Sequence, residues 1–463
     1  MKVKIFKRGM AVMVALFVVL LLVACGDDTP AETNNNGNDG NGNDTQVETP
    51  TDVESVELVF TAWNEQVVDR FNAVVELPEG VTVRWLINPN EGNVYQNELI
   101  RLLPLGEIDL FVVEVDHIAQ FTDSDLVADV RALGLTDADL ANMFDYTLDV
   151  ATGADGALRG VAWEANPGLL IYRRSIAEEV FGTDDPDVVQ TYLANWDLFT
   201  EAARRVNEAG HLMVAGHADT YRTFSNNLTS SWVNENNEII IDPHMMTWVE
   251  QTYYFARNGF LTPGDGLWSS GWSQGVNPEE GAPGVFGYFH APWGISFVML
   301  GQSLDDADQP HELGNGTFGD WGAVPGPEGF FWGGTWIMAY SGSPHGEIIA
   351  DIMRQMTVNE DNLTTFTNDF GDFVNNRNVV DRVANDPDFG NAFLGGQNHI
   401  ALLADAVDTI DMSHVGPFDQ AITEAFQGAM GDYIEQVVTL EEALDNFFST
   451  VTTLHPHLRR PAE

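Results

Sequence analysis

Residues 108–115 read IDLFVVEV. A strand that alternates apolar and polar residues buries one face, whereas one that is apolar nearly throughout is covered on both, as in the parallel sheets of α/β proteins. Upstream, SVELVFTAW (55–63) alternates, with Val56, Leu58 and Phe60 on one face, and VTVRWLI (81–87) alternates again. Between these strands Gln66–Val75 carries Val67, Phe71 and Val74 at helical spacing, and YQNELIRLL (95–103) is also helical. The order is β-α-β-α-β. Short connections and right-handed crossovers then give a parallel sheet with helices on both sides, an α/β fold.

Downstream the pattern is mixed. Arg159–Trp163 and Leu169–Arg173 read as short strands around an Asn166-Pro167-Gly168 turn, and Asp197–Ala209 as a helix stopped by Gly210. Phe418, Ile422, Phe426, Met430 and Ile434 recur every four residues, which predicts a long amphipathic helix. Thr439 with Glu442 predicts a capping box opening the last helix. No internal repeat is visible.

The N-terminus carries Lys2, Lys4, Lys7 and Arg8 and no acid, then an apolar run from Met10 to Val23 of secretory h-region length. Leu22-Val23-Ala24-Cys25 resembles the lipobox of bacterial lipoproteins, which implies a signal peptide over 1–24 and lipidation of Cys25, the sole cysteine; the alternative is a plain signal peptide with an accidental cysteine. Residues 25–54, rich in Asn, Gly, Asp and Thr, have nothing to bury and are expected to form a disordered tether. The expected location is the outer face of the bacterial cytoplasmic membrane, held by lipid.

Four of the 20 cations lie in the first eight residues, so from Cys25 onward 16 cations face 70 acids, a formal charge of −54. No lysine follows Lys7. Such a charge argues against nucleic acid, anionic membrane surfaces and polyanionic ligands. It is consistent with adaptation to high salt or alkaline surroundings, or with a lineage of acidic exported proteins.

Several segments, in order, carry a resemblance: IDLFVVEVDHIAQFTDSDLVADV, LRGVAWEANPGLLIYRRSIAEEVFG, NWDLFTEAARRV, GVFGYFHAPWGI, GDWGAVPGPEGFFWGGTWIMAYSGSPHGEIIADIMRQM, LGGQNHI and AFQGAMGDYIEQVVTLEEALDNF. Over roughly residues 55 to 455 the chain resembles the extracellular solute-binding lipoproteins of carbohydrate ABC transporters, the maltose-binding-protein-like class. The resemblance implies a two-lobed periplasmic-binding-protein-like fold, each lobe a mostly parallel sheet flanked by helices. It divides the chain into an N-terminal lobe (55–113 and 337–374) and a C-terminal lobe (114–336 and 375–458). Crossings between lobes are expected near Val113–Asp116, Trp332–Trp336 and Phe373–Arg377. It further implies a carbohydrate ligand in the cleft, an ABC permease as partner and a monomer; no cofactor is expected, no residue is assigned to a metal, and a bound metal stays open.

A sugar offers apolar C–H faces to aromatic rings and a rim of hydroxyls to polar side chains. Trp63 and Asn64 end the first strand, Asp116 follows the third, and Trp163 and Glu164 end a later one; carboxyl ends of strands border the crevice in doubly wound sheets. Trp293 in HAPWGI occupies the position that the resemblance assigns to stacking on sugar. Trp332 and Trp336 flank Gly333-Gly334, while Asn375, Asn376 and Arg377 cluster at the third crossing. Tryptophan in an α/β core is more often packing, and Trp85 and Trp196 are read that way; Trp232 is a further candidate. Asp116 is equally a helix cap, Asn375 and Asn376 turn formers, and Arg377 an ion-pair partner.

Catalysis lacks a constellation. No HExxH or GxxxxGK[ST] occurs. Glu114 and Asp116, two apart on a strand, would face opposite sides, and Glu164 has no evident partner carboxylate. A lipid-anchored glycoside-cleaving enzyme and a sugar sensor feeding a membrane receptor remain the alternatives to a transport protein.

Overall fold

The computed structural model describes residues 55–90, 93–262, 267 and 269–461. The expected signal peptide, Cys25 with its lipid, and the tether lie outside the described residues.

The opening βαβαβ unit forms as the periodicity predicts: β1 (Val56–Ala62), α1 (Glu65–Val74), β2 (Val81–Ile87), α2 (Val94–Leu102) and β3 (Leu110–Glu114), followed at once by α3 (Val115–Thr122). β1 runs parallel to β2 along its whole length, from Val56 opposite Val81 to Ala62 opposite Ile87, and parallel to β3 on its other side. Leu110, Phe111 and Val112 are fully buried, as a strand covered on both faces requires. The Tyr95 hydroxyl of α2 lies 3.0 Å from the Thr61 carbonyl and 2.8 Å from that of Val112, and accepts from the Val112 N–H, tying α2 to β1 and β3.

Five more strands follow: β4 (Gly160–Ala162), β5 (Leu169–Arg173), β6 (Gly287–His290), β7 (Trp321–Val324) and β8 (Thr335–Ala339). The first sheet has the order β2-β1-β3-β8-β4, with β8 antiparallel to both β3 and β4. The second has the order β6-β5-β7, with β5 antiparallel to both neighbours. The expectation of mostly parallel sheets thus holds for β2-β1-β3 and is corrected for the second sheet. Strand direction there depends on which end the chain returns to after long helical insertions, and periodicity carries no record of that.

The chain does not leave the first sheet at Val113–Asp116 or at residue 114. Val127 bridges Tyr340 beside β8, and β4 pairs with β8, so the stretch to Ala162 stays with the first sheet. The passage to the second sheet runs through 163–168, and the return through 325–334. These two passages pair with each other: the Gly168 N–H donates to the Phe330 carbonyl at 2.7 Å and the Trp332 N–H to that of Asn166 at 2.9 Å. A third segment joins them, the Ala165 N–H donating to Phe373 and the Asn375 N–H to Trp163.

The Asp419–Ile434 helix buries Ile422, Phe426, Met430 and Ile434 completely, in the four-residue rhythm expected, against a second core that includes Leu170, Tyr172 and Phe289. Thr439 and Glu442 form the capping box at the head of Leu440–Leu454.

Candidate functional site

A cavity of about 790 Å³ opens where the strand ends of the first sheet meet the passages to the second. Three β-strands deliver its first wall in the same way, by ending and turning. After β1 come Trp63 and Asn64; the Asn64 side chain accepts the Gln66 N–H at 3.1 Å, so it caps α1 and aims Gln66 and Arg70 of that helix inward. After β3, Glu114 accepts the Asp116 N–H at 2.8 Å and caps α3. Of the two readings of Asp116, the cap therefore falls to Glu114, and both Glu114 and Asp116, the latter in the first helical turn, line the cavity. After β4 come Trp163 and Glu164.

The opposite wall carries Trp293 behind β6, Trp332 in the return passage, Tyr221 and Arg222 of the short Tyr221–Ser225 helix, and Gln420, Glu424 and Gln427 from the Asp419–Ile434 helix. Trp293 stands edge-on to Trp332, ring centres 5.1 Å apart, and its indole N–H donates to the Trp332 carbonyl at 2.8 Å. Gly333 and Gly334 take φ +81° and +123°, and a Cβ on Gly333 would lie 3.0 Å from the Trp293 indole nitrogen, so both conformation and space call for glycine.

Two bidentate ion pairs brace the walls. Arg222 grips Asp116 with both terminal nitrogens, one at 2.8 Å, and lies over the Trp332 ring 5.4 Å from its centre. Arg70 grips Asp372 with two bonds of 2.6 Å, deeply buried. Burial works against the Asp116 charge, but Arg222 outweighs it and holds that carboxyl below its ordinary pKa. Glu164, 7% exposed, accepts a bond from the Thr335 hydroxyl at 2.8 Å; burial, with Asp372 adding to it, pushes its carboxyl up to about 7. Burial and then the neighbouring Asp116 push Glu114 up to about 8.

Trp63, Asn64, Asp116, Trp163, Glu164, Trp293 and Trp332 are thus brought together on one cavity. Four expected residues are not on its wall. Trp336 points into the first core, 1% exposed, its indole N–H donating to the Thr147 carbonyl. Asn375, fully buried, accepts from the Phe144 N–H and donates to Thr147 and Ala162. Asn376 caps the Arg377–Ala384 helix, and Arg377 pairs with Asp408 while lying over Phe144. Four residues apart on one strand, two side chains would share a face, but Trp332 lies before β8 and is separated from it by Gly333 and Gly334 at positive φ, so it does not share the side of Trp336. Trp232 belongs to the second core; Trp85 stacks on Phe60, and Trp196 on Phe224, as packing residues.

Sequence reasoning missed Gln66, Arg70, Tyr221, Arg222 and the Gln420, Glu424, Gln427 stripe. The stripe was readable: it has spacing four and three on the helix whose apolar face was recognised. Arg222 had no local signal, because its partner lies 106 positions away.

Residues 66–391 match the bacterial extracellular solute-binding proteins, and the chain belongs to that family. Among solved structures it is similar to the ABC transporter associated binding protein of B. animalis subsp. lactis Bl-04 in complex with β-1,6-galactobiose (15% identity, 88% of this chain and 100% of that one, TM-score 0.66). It is similar also to the galacto-N-biose/lacto-N-biose I-binding protein of Bifidobacterium longum in complex with lacto-N-biose (13%, 89% and 100%, 0.67) and to the sugar-binding protein MalE of Xanthomonas citri (14%, 86% and 97%, 0.64). These likenesses establish the two-lobed periplasmic-binding-protein-like fold. No curated protein sequence matches. The family is extracellular, and no helix among the described residues is long and apolar enough to cross a membrane.

Proposed function

We propose that this protein captures an oligosaccharide outside the cell and delivers it to the permease of an ABC importer, as a monomer held to the membrane by lipid on Cys25. The observation that carries the reading is the cavity itself: the indoles of Trp63, Trp163, Trp293 and Trp332 line it together with carboxyl and amide side chains. Rings serve the C–H faces of sugars and the polar groups serve the hydroxyls. The passages at 163–168 and 325–334 are the natural hinges, with the third segment around 373–376 beside them; ligand bridging the walls would favour a closed form that docks on the permease. The sugar-bound relatives support this assignment by fold.

A thermal-shift screen over mono- and oligosaccharides tests it. A ligand at a hundredfold excess over Kd stabilises by about 2.7 kcal/mol. Trp293→Ala and Trp63→Ala are expected to lose that response while remaining folded; variants that respond like the parent overturn the site assignment.

One observation favours a second reading. Glu164 and Glu114 are both pushed toward protonation, and a protonated carboxyl is what a glycosidase uses as its acid. Such an enzyme also needs an ionised carboxylate free to act, and Asp116 is held by Arg222. Sugar recovered intact after incubation supports binding; fragments support cleavage. A receptor-coupled sensor would bind the same sugar and differ only in its membrane partner.

A further inference from the structure

We infer that the ligand is an amine-bearing oligosaccharide, held in its ammonium form by the carboxylates of the cavity wall; this rests on the sugar-binding reading above. The wall presents Glu114, Asp116, Glu164 and Glu424 against two cations, Arg70 and Arg222. Both guanidiniums are already engaged, Arg222 by Asp116 and Arg70 by Asp372, each through two bonds. Among the described residues, Glu114, Glu164 and Glu424 enter no ion pair.

Glu164 is the sharpest case. It is 7% exposed, and the side chains that bond it, the Thr335 hydroxyl and the Asn166 amide, are neutral. The charged groups facing it are Arg70 from α1 and Asp372 from the third segment, a bonded pair; those facing Glu114 are Asp116 and Arg222, also a bonded pair, and Glu164 itself. A buried carboxylate without a counter-charge is costly, and a proton is the cheapest remedy when the cavity is empty. A sugar hydroxyl can bond such a carboxylate but brings no charge. An ammonium brings both, and can replace the proton.

Two independent features point the same way. Arg222 lies over the Trp332 face, so a cation is accommodated against this indole, and the Trp293 ring stands beside it. The chain as a whole carries −50, a field that draws cationic sugars toward the cleft and repels uronates.

The test uses the purified chain at about pH 7 and low salt, with oligosaccharides in matched triplets: glucose, glucosamine and N-acetylglucosamine oligomers, and the corresponding galactose series. The amino member of a triplet is expected to bind at least tenfold tighter than its hydroxyl and acetyl counterparts, and the margin to shrink with added salt. Glu164→Gln is expected to bring the ratio of amino to hydroxyl affinity toward one; because the ratio is taken on one variant, loss of fold, which abolishes both, is not mistaken for it. A hydroxyl or acetyl member binding as tightly as the amino member overturns this inference and leaves sugar capture standing. Binding by no member of any sugar panel overturns sugar capture as well.

Discussion

Glu164 links the site to stability. Its proton leaves the folded chain near pH 7 but the unfolded chain near 4.5. Between those values the folded state holds more protons, so stability falls as pH rises, by up to about 3 kcal/mol. Below 4.5 both states are protonated and the effect is absent. Glu164→Gln is therefore expected to unfold at higher denaturant than the parent at pH 8, with the two converging near pH 4.5; equal midpoints at pH 8 would show that burial does not raise the Glu164 carboxyl. Trp336 makes the contrasting case. It is 1% exposed and bonded to the Thr147 carbonyl, so Trp336→Ala should cost about 3–5 kcal/mol, whereas Trp63→Ala, half-buried on the cavity rim, should lose ligand response at a smaller stability cost. Urea titration of both variants with and without sugar separates the two effects. Tryptophan was legible as important at both positions. What distinguished platform from core was the face on which each ring emerges, which depends on register with a strand paired from far along the chain.

At the scale of the element, the return passage is where backbone and site meet. Gly333→Ala places a non-glycine residue at φ +81°, which costs about 1–2 kcal/mol, and sets its methyl against the Trp293 indole nitrogen that now donates to Trp332. The variant should lose both stability and sugar affinity. Asn376→Ala should lose the cap of Arg377–Ala384, about 1 kcal/mol, and keep its sugar response, because its side chain accepts the Val379 N–H and does not line the cavity. If Asn376→Ala abolished binding in a thermal-shift assay, the cavity would be misplaced. Local pattern carried the fold well wherever pairing was sequential: β2 and β5 match their expected spans residue for residue, and α1, α2 and the Asp419–Ile434 helix within a residue or so. It also placed β4 inside the expected Arg159–Trp163 strand, but it did not mark β8. The pairing of Ala162 with Trp336 that moves the first passage to 163–168 joins residues far apart in the chain, and neither local pattern names its partner.

For the whole molecule the decisive quantity is charge. Fifteen of the sixteen arginines after Cys25 lie within ion-pair distance of a carboxylate, and the remaining one, Arg257, donates to the Ile434 carbonyl. The cations are therefore already committed, and the excess acids, 54 from Cys25 onward, can be relieved only by solvent ions. Salt acts on both sides of this balance. It weakens exposed pairs such as Arg84–Glu57 and Arg460–Asp445, each worth about 0–1 kcal/mol, and it screens repulsion among the unmatched carboxylates. The screening length falls from about 10 Å at 0.1 M to about 3 Å at 1 M, which removes most of the repulsion between surface neighbours. The buried bidentate pairs, Arg70–Asp372 and Arg222–Asp116, are shielded from the added ions and keep most of their strength. Because unmatched acids outnumber the pairs severalfold, relief of repulsion should win, and Tm should climb as NaCl is raised from 0.05 to 1 M. The same titration in sodium chloride and in sodium sulfate at equal ionic strength separates screening, which both supply, from the added effect of an excluded anion. A Tm that falls or stays level in chloride would mean that the acidic surface is not self-repelling in the folded state and that its charge serves solubility alone.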